Sequence, residues 1–263
     1  MYYLRLTRSF IRAAFQNALA YRANFWISLL HSLLNLGTGI LGLSVLFSQV
    51  ETLRGWTAPA ALALLGVYLT LTALYKLVIG PSLDAITGLE GTISTGAFDF
   101  TLLRPVNTQF FVSVQHWRPL ALLDLLLGMG VVAVAIIRLG QALTLLRLVA
   151  FLLALGAGVT ILYALWLAVN SLVFWDPGFM FTWIFSGFLQ MARYPVGLYP
   201  GWLRLVLTWV VPVGLMTTLP AQALTGSLDL PLLLVSLALA LGLFVGASAL
   251  FRLGLRHYGS ASS

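Results

Sequence analysis

The sequence contains no cysteine, which excludes both a disulfide framework and a thiolate metal site. Charge is scarce as well: Asp, Glu, Lys and Arg make up 8% of the chain, against about 25% in a soluble globular domain. Such a chain cannot cover its own surface in water, and insertion into a membrane follows. Acids are the scarcest class, with seven Asp and Glu against 14 Lys and Arg. In a soluble protein that excess would point to nucleic acid. Here the basic residues flank apolar runs, where they set orientation in the bilayer, and no nucleic-acid partner is expected. No GxxxxGK[ST] phosphate loop occurs, so ATP hydrolysis through that fold is excluded for this chain. HExxH, CxxC and GxSxG are missing too. His31, His116 and His257 lie far apart, so neither a metal site nor a catalytic set is expected. The first residues do not follow the order of a signal peptide, because charge and apolarity alternate at helical spacing. No internal repeat is evident.

What is present is a series of apolar runs. Residues 1–20 place Arg5, Arg8, Arg12 and Gln16 on one helical face, with Leu6, Phe10, Ala13, Ala14 and Asn17 mostly on the other. This pattern predicts an amphipathic helix lying in the membrane interface. Runs near the roughly 20 residues that cross a bilayer follow at about Ala23–Phe47, Ala58–Ile79, Pro119–Ile137, Leu148–Phe174, Phe179–Tyr194 and Pro231–Phe251. The second ends at Gly80-Pro81, and Asp176-Pro177-Gly178 reads as a turn. Between 195 and 230, Pro195, Pro200, Pro212, Pro220 and Gly226 cut the chain into pieces too short to span. A re-entrant hairpin is predicted there; one kinked span from Trp202 to Leu224 is the rival reading. Six spans place nine basic residues on one side and five on the other, which favours both termini in the cytoplasm. Gly242 and Gly246 sit at a spacing that permits close helix approach.

The one long hydrophilic stretch is 80–119, GPSLDAITGLEGTISTGAFDFTLLRPVNTQFFVSVQHWRP. It carries Asp84, Glu90 and Asp99, three of the seven acids. Leu89, Ile93, Phe98 and Phe100 are large apolar groups that a solvated connector does not need. Gly88, Gly91 and Gly96 permit sharp turns, and Pro105 disfavours helix at Arg104. Two ionisable residues, Lys76 and Asp124, fall inside predicted spans near this stretch. Intramembrane charges are functional candidates, and the two are expected to pair.

Several of these residues carry a resemblance. The order is amphipathic helix, two spans, polar loop and four spans, with a broken segment before the last. With Gly96, Asp99, Leu102-Leu103-Arg104-Pro105-Val106, Tyr194-Pro195, Trp202, Val211-Pro212 and Leu219-Pro220, the chain resembles the membrane subunit of a type-2 ATP-binding-cassette (ABC) exporter. It departs from that pattern where Gly-Ala-Phe-Asp replaces Gly-Thr-Leu-Asp and where the preceding basic residues are missing. The resemblance implies an all-α permease in a prokaryotic cell membrane, a single domain over 1–263, working as a homodimer or with a related permease. It implies a coupling helix in the loop 80–119 that docks on two ATPase subunits, which hold ATP and Mg; this chain would bind no cofactor. The implied contacts are Leu89, Glu90, Thr92, Ile93, Gly96, Phe98, Asp99 and Arg104. Pro195, Trp202, Pro212 and Pro220 would belong to an outer re-entrant lid. Two other readings compete: an ion-driven secondary transporter, and a membrane enzyme or structural membrane protein. Substrate class is open.

Overall fold

A computed structural model describes residues 2–20, 22–140, 144–176 and 182–259. Helix α1 (Tyr2–Ala20) leads into α2 (Arg22–Leu46). A short hairpin, β1 (Thr52–Leu53) with β2 (Trp56–Thr57), turns the chain through Arg54 and Gly55, both at positive φ. Thr57 then caps α3 (Ala58–Asp84) by accepting from the Ala60 amide, satisfying one of the orphan donors of a helix start. The next segment holds turns and two short helices, α4 (Phe98–Leu102) and α5 (Thr108–Val114). After it come α6 (Ala121–Leu139), α7 (Leu145–Phe174), α8 (Thr182–Met191), α9 (Gly201–Val210), α10 (Val213–Thr225) and α11 (Leu230–His257).

Among the described residues five helices, α2, α3, α6, α7 and α11, are long and apolar enough to cross a membrane, and the bent pair α9 and α10 makes a sixth if it is counted as one span. The expected span 179–194 falls partly outside the described residues, as do Pro177 and Gly178 of the predicted turn. Its described part, α8, has ten residues, short of a full crossing. Helices α9 and α10 meet at 89° across Val211-Pro212. Both ends of this broken segment reach the same end of the bundle. Arg54, in the hairpin before α3, donates to the Gly197 carbonyl at 2.6 Å. Gly226, at the end of α10, lies against Arg147 at the start of α7. The opposite end gathers the first and last helices around 80–119: Tyr3 packs edge-on against Phe110, and Tyr258 reaches Asp99.

In lipid the apolar faces of helices gain little from hiding, so close packing decides which helices associate. α3 is the most buried span, and it meets α6 almost backbone to backbone. A Cβ built on Gly66 would lie 2.7 Å from the Val132 amide nitrogen, and one on Gly128 would lie 2.7 Å from that of Thr70. Gly242 and Gly246 take no such part within the chain, because a Cβ built on either would meet no other helix within 4 Å.

Two prolines sit in helices where the sequence suggests breaks. α3 does not stop at Gly80-Pro81; it runs on to Asp84 through a π turn at Tyr75–Ile79. Pro81 has no amide to offer the Leu77 carbonyl four residues back. The Arg118 amide fills that place, at 2.9 Å. Pro220 likewise leaves α10 unbroken. The Met216 carbonyl four residues before it faces Gly158 of α7, where a Cβ would come within 2.8 Å of the oxygen. In both cases a tertiary neighbour tolerates what the local sequence opposes.

Candidate functional site

The segment after α3 is a buried base with an exposed tip. Gly88 and Gly96 take φ of 81° and 72°, conformations that L side chains rarely adopt. At Gly91 a Cβ would clash with the Thr87 carbonyl. The turns close through backbone bonds from Thr92 to Ala85 at 3.0 Å and from Phe98 to Thr92 at 2.8 Å. Ile86, Ile93 and Phe98 then point inward, with Ile93 3% and Phe98 0% exposed. Phe98 packs edge-on against Phe174 and Tyr258.

Burial takes Ile93 and Phe98 off the docking surface expected of them: they hold the segment to α7 and α11 instead. Leu89, Phe100 and Leu103 do face outward, at 78%, 71% and 80% exposed, beside exposed Glu90. Gly96 shapes the turn, and Thr92 has a buried hydroxyl without a hydrogen bond. Asp99 accepts from the Tyr258 hydroxyl at 3.0 Å. Burial first, and then that carboxylate, push the Tyr258 hydroxyl up to about 12. Exposed Arg104 spreads its guanidinium over the Phe111 ring, 4.6 Å from its centre. α5 begins at an Asn107 cap that accepts from the Phe110 amide. Behind it, Gln109 donates to Ser248 at 2.9 Å, and Ser113 lies 2.8 Å from the Tyr163 hydroxyl. These bonds tie α5 to α11 and α7.

The structure brings Lys76 and Asp124 together. Lys76 Nζ donates to Asp124 Oδ2 at 2.9 Å, joining the π turn of α3 to the first turn of α6. The pair lines a partly open cavity of about 760 Å³. One wall comes from α1 and α2, through Phe10, Ala13, Asn17, Ser28 and His31. The other is 115–121, stitched in place by Ser82, which donates to the His116 carbonyl at 2.8 Å and accepts from the His116 amide at 3.0 Å. Burial lowers the His116 imidazole from its ordinary value, so it is neutral at pH 7. Asp84, which the sequence places in the polar loop, is the last residue of α3 and accepts from Trp166 Nε1 at 2.7 Å.

Pro195, Trp202, Pro212 and Pro220 do not converge. Pro195 precedes a 3-10 turn, Pro212 stands at the sharp bend, and Pro220 is buried inside α10. Trp202 is exposed on α9. Sequence reasoning missed Arg193, counting it as a flanking charge. Its guanidinium reaches the Asn35 carbonyl halfway along α2, at 3.2 Å, and lies over the Tyr68 ring at 5.6 Å. Its Nε is buried without a hydrogen bond. The paired signals were polar Asn35 and Tyr68 in otherwise apolar runs.

Residues 33–262 match a family model described as ABC-2 family transporter protein. A comparison with curated proteins gives no match.

Proposed function

Because the chain belongs to the ABC-2 family of transporter proteins, multi-pass permeases that associate with ABC ATPase subunits, we propose that it forms half of an ATP-driven exporter and receives force through residues 80–119. One observation carries this reading: the segment's tip presents Leu89, Phe100 and Leu103 outward while its base is locked into the bundle. Exposed apolar groups on a rigid mount mark a protein contact. A flexible connector would transmit nothing.

On this reading the tip faces the cytoplasm of a prokaryotic cell, and Glu90 and Arg104 rim the contact. ATP and Mg reside on the two ATPase subunits, and the chain itself performs no hydrolysis. Closure of those subunits pulls on α3, α7 and α11 together, because all three are fixed to the base. A second copy, or a related permease, completes the path. Six crossings are counted by taking 179–194 as the fifth. The segment 195–230 is then a re-entrant lid at the outer end, since Gly197 near its start and Gly226 near its finish both meet connections of that one end.

Absence of cysteine makes the test clean. A single Leu89→Cys or Leu103→Cys is expected to react with an impermeant maleimide only in inverted vesicles, and to be shielded when ATPase subunits are bound. Trp202→Cys should label from the opposite side. Labelling of Leu89→Cys in intact cells would sink the proposal.

A further inference from the structure

We infer that the 760 Å³ cavity between α1, α2 and the 115–121 segment is a binding site for an amphiphile with a compact phosphate headgroup. Its volume lies within the range of ligand sites, about 300–1,000 Å³. The chemistry of its walls chooses the ligand. Lys76 and Arg118 bring two positive charges, and Asp124 brings the single carboxylate of the lining. Asp84 also feels the Arg118 charge, but it accepts from Trp166 Nε1 and does not line the cavity. One Asp124 oxygen is already taken by Lys76. The Arg118 guanidinium has no side-chain hydrogen bond among the described residues, although its backbone amide is fixed to Leu77. A planar guanidinium with free donors matches the oxygens of a phosphate. The first amides of α6 are not available for that role. Those of Ala121, Leu122 and Leu123 already donate to Arg118, Pro119 and Leu120, so the side chains must supply the site.

The rest of the wall is mixed: Asn17, Asn24, His31 and Gln115 add polar groups suited to a headgroup, and apolar side chains beside them offer a surface for acyl chains. Phe10, Ala13, Ile27 and Leu120 line it. Its roof is α1, which contributes Phe10, Ala13, Ala14, Asn17 and Ala18, while Arg5, Arg8 and Arg12 lie on the exposed face outside the cavity. A phosphate held at Arg118 would leave its acyl chains running beside α2 toward the apolar side of the bundle. That the site opens to the cytoplasmic leaflet follows only from the permease reading above, which puts 80–119 on that side; the binding itself does not rest on it.

Trp117 lines the cavity and gives the readout. The 263-residue chain would be placed in phosphatidylcholine nanodiscs and titrated with phosphatidic acid brominated near the headgroup. The difference in fluorescence quenching between the native chain and Trp117→Phe isolates the cavity from the other tryptophans. Saturable quenching is expected with phosphatidic acid and not with brominated phosphatidylcholine. Arg118→Gln should raise the half-saturating concentration roughly tenfold, the loss of a charge-assisted hydrogen bond. Ser28→Phe, which fills the cavity from α2, should abolish it. Arg8→Gln, on the exposed face of α1, should leave it unchanged. Equal quenching by phosphatidylcholine, no effect of Arg118→Gln and Ser28→Phe, or an equal effect of Arg8→Gln would overturn the site. Inorganic phosphate should not displace the lipid; full displacement would reassign the cavity to a free anion and overturn the amphiphile. No ATPase takes part, so failure here and failure of ATPase docking are separate results.

Discussion

Residues 80–119 and 195–230 both interrupt the long helices, and they solve opposite problems. The first is hydrophilic yet turns large apolar side chains outward at Leu89, Phe100 and Leu103. The second is apolar and hides nearly all of α10 against α3 and α7. In the first, glycines at positive φ and a buried aromatic base hold an exposed tip. In the second, prolines bend a helix that must be sheltered, because broken backbone inside a membrane has to be buried in protein or line a wet cavity. The difference separates a tip built to be touched from a helix, α10, built to be enclosed.

The sharpest way to break that contrast is to exchange base for tip. Phe98→Ala removes a fully buried ring and should lower stability by about 3–5 kcal/mol, read as a large fall in the thermal midpoint in detergent. Phe100→Ala, two residues on, should leave the midpoint unchanged. Equal effects would erase the division into base and tip. In the enclosed region, Gly158→Val drives a side chain into the Met216 carbonyl and should cost about 1–3 kcal/mol. A wild-type midpoint would show that α7 and α10 are not in close contact. At the tip, Leu89→Ser with Phe100→Ser should weaken ATPase association roughly tenfold without moving the midpoint; unchanged co-purification would leave the tip without a role. A cycle of Lys76→Ala and Asp124→Ala should return a coupling of about 1 kcal/mol, since the half-exposed lysine is partly screened. Smallest is a titration. The Tyr258 absorbance, isolated by difference from Tyr258→Phe, should change near pH 12, above the ordinary value of about 10. Its raised value stabilises the protein fully below pH 10, and that contribution is lost as pH climbs through 12. Asp99→Asn should move the change downward.

Much of this architecture is legible in the sequence because length and apolarity alone define a crossing. The runs before Gln49, after Thr57 and after Leu230 appear as helices α2, α3 and α11, and the break at Pro212 is a break. Orientation of side chains on short elements was not legible. In α4, Phe98 and Thr101 point in while Phe100 and Leu102 point out, and five residues are too few to establish a face. Helix ends set by distant partners were equally hidden. Nothing local says that Arg118 fills the place left by Pro81, or that Gly158 makes room beside Pro220. Small-residue spacing along one helix does not show which glycines meet another helix of the same chain. Gly242 and Gly246 form the recognisable motif, but the close approaches occur at Gly66, Gly128 and Gly158, whose neighbours lie on other helices. Within the candidate site, Lys76 and Asp124 stood out as charges in apolar runs, whereas Arg193 was masked by its nearness to Pro195.

The bond between Asp99 and Tyr258 joins residues 159 positions apart. On the proposed reading, a tug on the tip would therefore reach the final helix in a single stride, alongside its pull on α7 through Phe98 and Phe174. Both halves of the polypeptide would then swing in step, as a yoke makes two oxen share one pull.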